Sequence, residues 1–168
     1  AEIATEIHPY DLVLDAAGDT LYVSNWGSQS VAAIDTSTLK TRATVRVGHN
    51  PNDMALAKDG RLFVACSNEN SVYVIDTRTM RPLEVISTAM YRMAPLGSTP
   101  NALALDPAGK MLFVANADNN NVAVINVADR EVSNVVGFIP AAWYPASLAV
   151  SPDGRSLYVG SAKGLGSY

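Results

Sequence analysis

The side chains with chemistry to offer are few and scattered. Two histidines, His8 and His49, sit near prolines, and the single cysteine is Cys66. A zinc site needs several His, Cys or carboxylate ligands at characteristic spacing, and neither histidine has such neighbours. Nucleophilic work by Cys66 would need an activating base, and no histidine or catalytic signature adjoins it. Cys66 is therefore expected as a buried thiol at a strand end, and His8 and His49 as loop residues. The polar run Asn116–Asn121, which includes Asp118 and Asn119, offers amide and carboxylate oxygens suited to a cation or a sugar. It lacks the Asp-x-Asp-x-Asp-Gly spacing of a calcium loop, and asparagine is also common in turns because it tolerates left-handed backbone. Tyr10, Trp26, Asn68, Tyr91, Trp143 and Tyr144 fall in or near comparable loops. Aromatic rings beside amides suit a ligand or partner surface, with packing between structural units as the alternative. No catalytic residue, metal ligand or cofactor follows from these patterns.

The elements that hold these loops come from an internal repeat. Pro9, Pro51, Pro100 and Pro145 are spaced 42, 49 and 45 residues apart, and Gly18, Gly60, Gly109 and Gly154 follow with the same spacings. After each glycine comes an aromatic-Val segment: Tyr22-Val23, Phe63-Val64, Phe113-Val114 and Tyr158-Val159. Three repeats continue into Val31–Asp35, Val72–Asp76 and Val122–Asn126. Each unit reads as four strands: a small-residue innermost strand, a Gly hairpin, two alternating β-branched or aromatic strands, and a more polar outer strand. A period of about 40–45 residues with four strands per unit indicates an all-β β-propeller of four-stranded antiparallel blades. A β-sandwich also has many short strands, but it does not require one motif four times in register.

Composition narrows the function. With 48% hydrophobic and 17% charged residues the chain can build a real core, and its formal charge of -4 disfavours phosphate neutralisation, so no nucleic-acid partner is expected. No apolar run reaches the roughly 18–20 residues of a membrane-spanning helix. The absence of an initial Met and of a basic-then-apolar leader suggests a processed or truncated product.

The run Ser151–Val159 (Ser-Pro-Asp-Gly-x-x-Leu-Tyr-Val) and the pair Leu112–Asn116 and Val122–Asn126 resemble the YVTN family of β-propeller repeats. The Trp-Asp and Gly-His marks of WD40 blades and the Asp-box of sialidases are missing. The insertion Ile86–Asn101, followed by Ala115–Asn120, Gly137–Pro140, Trp143–Pro145 and Lys163–Ser167, is similar to the propeller of bacterial exported proteins that add a C-terminal alkaline-phosphatase-like phosphoesterase domain. This resemblance implies a periplasmic or extracellular location and a downstream phosphoesterase domain as a partner of the insertion. The catalytic residues of that domain have no counterpart in this chain. A non-catalytic scaffold or binding module is the reading that follows, with a phosphoesterase accessory propeller or a cell-surface or surface-layer module as alternatives.

The expected organisation is one propeller fragment of about three and a half blades. It comprises residues 1–7 as the last strand of a preceding blade, blades at 8–48, 49–97 (with the insertion 87–96) and 98–143, and a half blade at 144–168. An open arc exposes sheet faces. Two closures are open: a four-bladed ring within one chain, or self-association of two chains into a larger ring, the second being favoured because four blades demand a different inter-blade angle.

Overall fold

A computed structural model describes residues 2–164. Within them the chain is all-β, as four antiparallel sheets. The first blade holds β1 (Pro9–Leu14), β2 (Thr20–Asn25), β3 (Ser30–Asp35) and β4 (Lys40–Arg46). The second holds β5 (Pro51–Leu56), β6 (Arg61–Cys66), β7 (Ser71–Asp76) and β8 (Arg81–Ser87). The third holds β9 (Pro100–Leu105), β10 (Met111–Asn116), β11 (Asn121–Asn126) and β12 (Asn134–Pro140). Two further strands, β13 (Pro145–Val150) and β14 (Leu157–Ser161), form a half blade. The innermost strands β1, β5, β9 and β13 neighbour one another in that order around an arc. Four-stranded antiparallel sheets set radially are the blades of a propeller.

Local chemistry explains why the unit repeats. Gly18, Gly60, Gly109 and Gly154 all adopt positive φ (79°, 84°, 67° and 71°), and each amide closes its turn on the carbonyl three residues earlier. A Cβ resists that backbone, so glycine recurs. Asp35 Oδ1 accepts the amides of Ser37 and Thr38, Asp76 Oδ1 that of Arg78, and Asn126 Oδ1 that of Ala128, closing the turn after each third strand. The Ser37 hydroxyl, the Thr38 amide and Arg42 together hold the Asp35 carboxyl far below its ordinary range.

A second backbone device is invisible in the pattern. The residue before each repeat proline, His8, Asn50, Thr99 and Tyr144, has φ between 51° and 59°. This turns its carbonyl toward the hairpin between the second and third strands, where Trp26, Ser67, Ala117 and Ala162 donate their amides at 2.8–3.0 Å. Four different side chains accept the same strained region, so the demand comes from backbone hydrogen bonding rather than residue type.

The core lies between blades. Tyr22, Val31, Ala33 and Val45 of the first blade pack on Met54, Leu62, Val64 and Ile75 of the second. Phe63, Ala65, Val72 and Val74 of the second blade pack on Leu103, Leu112, Val114 and Ile125 of the third. Arg61 is buried with its Nε 2.7 Å from Asp59 Oδ2 and its guanidinium 5.3 Å from the Phe63 ring centroid.

The segment expected as a strand at 1–7 differs. Residues 2–7 form no ladder, because no strand of another blade lies beside them among the described residues. The Ile7 amide binds Ser28 Oγ, the Ile7 carbonyl accepts the Gly27 amide, and Glu6 meets the Ser30 hydroxyl, so the segment is tied to a hairpin instead. Ala1 and residues 165–168, which complete the expected 1–7 strand and the half blade, lie outside the described residues.

Candidate functional site

One end of the arc carries the hairpins between second and third strands together with the proline loops, joined by the amide–carbonyl pairs above. Here the polar side chains link neighbours. The Asn68 Nδ2 donates to Asn50 Oδ1 (2.6 Å), and Asn50 Nδ2 donates to the Trp26 carbonyl of the preceding blade (3.2 Å). Trp26 also tilts against the His8 ring, with centroids 6.2 Å apart. Thr99 Oγ1 donates to Asp118 Oδ2 (2.5 Å). The Asn119 amide donates to the Asn116 carbonyl, and the Asn119 carbonyl accepts from Asn121 Nδ2. Asn120 Oδ1 accepts the Tyr144 amide from the next repeat (2.9 Å), and the Lys163 ammonium stands 4.3 Å from the Tyr144 ring centroid. Trp143 exchanges backbone hydrogen bonds with Lys163 and Gly164. Trp26, Asn68, Asp118, Asn119, Trp143 and Tyr144 are thus gathered on one face.

Three other candidates are elsewhere. Asn116 is fully buried, which corrects its expected place on the surface: its Nδ2 donates to the Thr88 carbonyl (3.2 Å) and Asn121 Oδ1 (3.0 Å), locking the insertion's base to the hairpin. Asn25 makes the matching bond to Ser30 Oγ in the first blade. Tyr10 is on β1 beside the axis, and Tyr91 is on the insertion.

The insertion after β8 is anchored at its base by Asn70. The Asn70 Oδ1 accepts the amides of Gly97 and Ser98 and the Ser98 hydroxyl, while its Nδ2 donates to the Pro95 carbonyl. Beyond that base, Tyr91, Met93 and Leu96 are exposed by 64%, 93% and 71%. Beside them lies a hollow of about 550 Å³ lined by His49, Glu69, Ser71, Tyr91, Arg92 and Met93. Glu69 accepts the His49 amide (2.9 Å) and the Ser71 hydroxyl (2.9 Å). Replacing Asn70 by alanine leaves the buried Ser98 amide without its acceptor, which costs about 1–3 kcal/mol. Limited trypsin digestion of Asn70→Ala is expected to cut after Arg92 faster than in wild type; equal rates would show that the insertion does not depend on this anchor.

Sequence reasoning missed the axis. The side chain two places after each early proline reaches forward to the next blade: Asp11 Oδ2 accepts the Met54 amide (2.9 Å), and Asp53 Oδ2 accepts the Leu103 amide (2.5 Å). The Pro-x-Asp spacing at Pro9 and Pro51 was the available signal. Burial, opposed by the Leu103 amide and reinforced by the neighbouring Asp11 carboxylate, raises Asp53 to about 6. Asp11, Asp53, Asn101 and Ser147 share a hollow of about 320 Å³ with Tyr10. Among the described residues, no three His, Cys, Asp or Glu side chains gather to hold a metal ion.

Cys66 is fully buried and burial pushes its thiol up to about 12, so the thiolate is scarce at neutral pH. A disulfide reagent at pH 8 is expected to titrate no thiol until denaturant is added; prompt reaction of the native chain would contradict this burial.

A family model for the SMP-30/gluconolactonase/LRE-like region matches residues 11–157, most of the chain. The chain belongs to this family. Among curated relatives of this SMP-30/gluconolactonase/LRE-like chain, antigen Lp49 of Leptospira interrogans is 29% identical over 88% of this chain and 44% of its own length. The uncharacterised protein YncE of Salmonella typhi is 24% identical over 91% of this chain and 54% of its own length. The chain therefore spans about half the length of these relatives. Hydrazine synthase of Kuenenia stuttgartiensis superposes with a TM-score of 0.79 at 24% identity, over 95% of this chain and 44% of that one, a likeness of fold alone. No helix of the described residues is long and apolar enough to cross a membrane.

Proposed function

We propose that this chain is a non-catalytic propeller scaffold or binding module of the YVTN-repeat kind, working within a larger exported bacterial protein and presenting the 87–96 insertion to a partner. One observation carries this reading. The polar loop side chains are engaged in hydrogen bonds that join hairpins and blades, whereas Tyr91, Met93 and Leu96 stand exposed on an anchored loop. Apolar side chains held out on a fixed base suit contact with another surface. The sequence resemblance supports a phosphoesterase domain of the same protein as that surface. The antigen among its relatives supports a cell-surface interaction module as the neighbouring reading.

An enzymatic reading rests on a different feature, the Asp53 carboxyl with its raised pKa in the axial hollow, and on the gluconolactonase in the family's description. The 168-residue chain should be assayed with a sugar lactone and with a phosphomonoester, each with added calcium, magnesium or zinc. The module reading expects no turnover above buffer. Turnover lost in Asp53→Asn would replace it with the enzymatic one.

A further inference from the structure

The repeat shows which side chains the blade itself requires, and Glu69 is not among them. Three residues beyond the end of each second strand, the turn needs only a backbone amide: those of Ser28, Glu69 and Asn119 donate to the carbonyls of Asn25, Cys66 and Asn116 at 3.1–3.2 Å. Three unrelated side chains serve that turn equally, so its demand is on the backbone. The Glu69 carboxylate is nevertheless fixed in place. Its Oε1 accepts the His49 amide at 2.9 Å, and its Oε2 accepts the Ser71 hydroxyl at 2.9 Å. Gly48 leaves room for it, because a Cβ there would stand 2.5 Å from Oε2 and 2.7 Å from the Tyr73 ring.

The charge on that carboxylate is left open. An ionised carboxylate has about four acceptor sites, and these two donors take two of them. Among the described residues no Lys or Arg bridges Glu69; the His49 ring, 3.8 Å away, is its one basic neighbour. Arg92, on the insertion, lines the same hollow of about 550 Å³ and is exposed. Among the described residues its guanidinium has neither a hydrogen bond nor a salt bridge. Opposite charges at short range attract strongly away from bulk water, yet these two share a hollow without bridging each other. Much of the remaining lining is apolar, with Val85, Ala94 and Leu96 beside Tyr91 and Met93. Small-molecule sites have this composition and a volume of about 300–1,000 Å³. All of these residues belong to the second blade and its insertion, and that blade has a neighbour on each side, so the hollow is formed within the arc.

We propose that this hollow binds a small apolar zwitterion, a free apolar α-amino acid or a short apolar peptide. Its ammonium meets Glu69, its carboxylate meets the Arg92 guanidinium, and its side chain lies on the wall of Val85 and Leu96. A zwitterion satisfies both unmet charges at once, whereas a ligand of one sign leaves the other facing it unpaired. The guanidinium fork suits a carboxylate in particular, since it can donate two parallel hydrogen bonds. The inference rests on the module reading and deepens it by naming a ligand class for the space behind the insertion. Lactone turnover that depends on Asp53 would sink the module reading without touching this hollow, and failure of binding here would leave the module reading in place.

Titration of the isotope-labelled 168-residue chain with L-leucine and with leucylleucine, followed by amide chemical shifts, tests it. At least one of the two should give saturating shifts at the amides of Glu69, Ser71 and Arg92, and the tighter one tells amino acid from peptide. The N-acetylated form of that ligand lacks the ammonium and its C-terminal amide lacks the carboxylate, so each should bind about tenfold more weakly or worse. Glu69→Gln should erase the preference over the acetylated form, and Arg92→Gln the preference over the amide form. Arg92 is exposed and unbonded, so its variant keeps the wild-type fold and decides the matter even where Glu69→Gln does not fold. No saturating shift with either zwitterion at about 10 mM overturns the proposal. So do shifts confined to another part of the chain, or equal affinity for the charge-deleted forms.

Discussion

Phe63→Ala is expected to lower the unfolding free energy by about 3–5 kcal/mol, a large share of the stability of a domain this size. Phe63 has no exposed surface and packs between the second and third blades, against residues that cannot collapse inward without parting two sheets. Its ring also faces the buried Arg61 guanidinium, which pairs with Asp59 through Nε while Nη1 has no hydrogen-bond partner among the described residues. Truncation therefore opens a cavity beside a charge that is already incompletely paired, which adds to the transfer and packing loss. The equivalent residue Tyr158 has the same place in the repeat, and among the described residues no blade lies in front of it. Tyr158→Ala in the 168-residue chain is expected to shift stability by no more than about 1 kcal/mol. Urea denaturation of the pair measures the difference directly. Equal losses at both positions would mean that burial between blades is not what the aromatic contributes.

Asp53→Asn is expected to stabilise the protein at pH 7 by an amount on the order of 1–3 kcal/mol and to do nothing near pH 4. Asp53 is raised from 3.8 to about 6, chiefly by burial. Between those values the native chain binds more protons than the unfolded chain, so this residue's contribution is full below about 4 and is lost as pH rises through about 6. Among the described residues only Asp11 faces it as a charged group across the axial hollow, and two carboxylates there repel when both ionise. An asparagine at 53 keeps an oxygen for the Leu103 amide and removes that repulsion. The other perturbed carboxyls act the opposite way. Hydrogen bonds from the Ser37 hydroxyl, the Arg78 amide and the Ser151 hydroxyl hold Asp35, Asp76 and Asp153 low, so overall stability still falls in acid. The quantity to follow is thus the variant-minus-wild-type difference in urea midpoint against pH. A variant weaker than wild type at pH 7 would mean that the inter-blade staple needs the charge.

Both effects arise from contacts between repeats, and that is where sequence and structure part. The prolines, turn glycines and aromatic-Val strands were legible because each is a local requirement: a strand start, a positive φ, an alternating face. The asparagine and aspartate ends of the third strands were legible for the same reason, since their bonds stay within a few residues. The left-handed His8, Asn50, Thr99 and Tyr144 were not, because a residue before proline is ordinarily pushed to extended backbone and only the facing hairpin amide reverses this. Asn116 looked like part of a ligand loop because a polar residue beside a turn is usually solvated. Its partner, the Thr88 carbonyl, lies 28 residues away in another blade. Asp11 and Asp53 were overlooked for the same cause, since their acceptor role appears only when the next innermost strand arrives. What the sequence conveys well is the unit, and what it hides is the junction.

Strand-resolved amide hydrogen exchange tests the central claim most directly, that radial sheets are held by faces buried against neighbouring blades. The account expects the slowest exchange in β6, β7, β10 and β11, the central strands of the two blades covered on both sides, and fast exchange in the solvent-facing outer strands β4 and β12 and the exposed tip of the insertion at residues 90–93. Slowest exchange in β4 or β12, or one uniform rate across all strands, would contradict it.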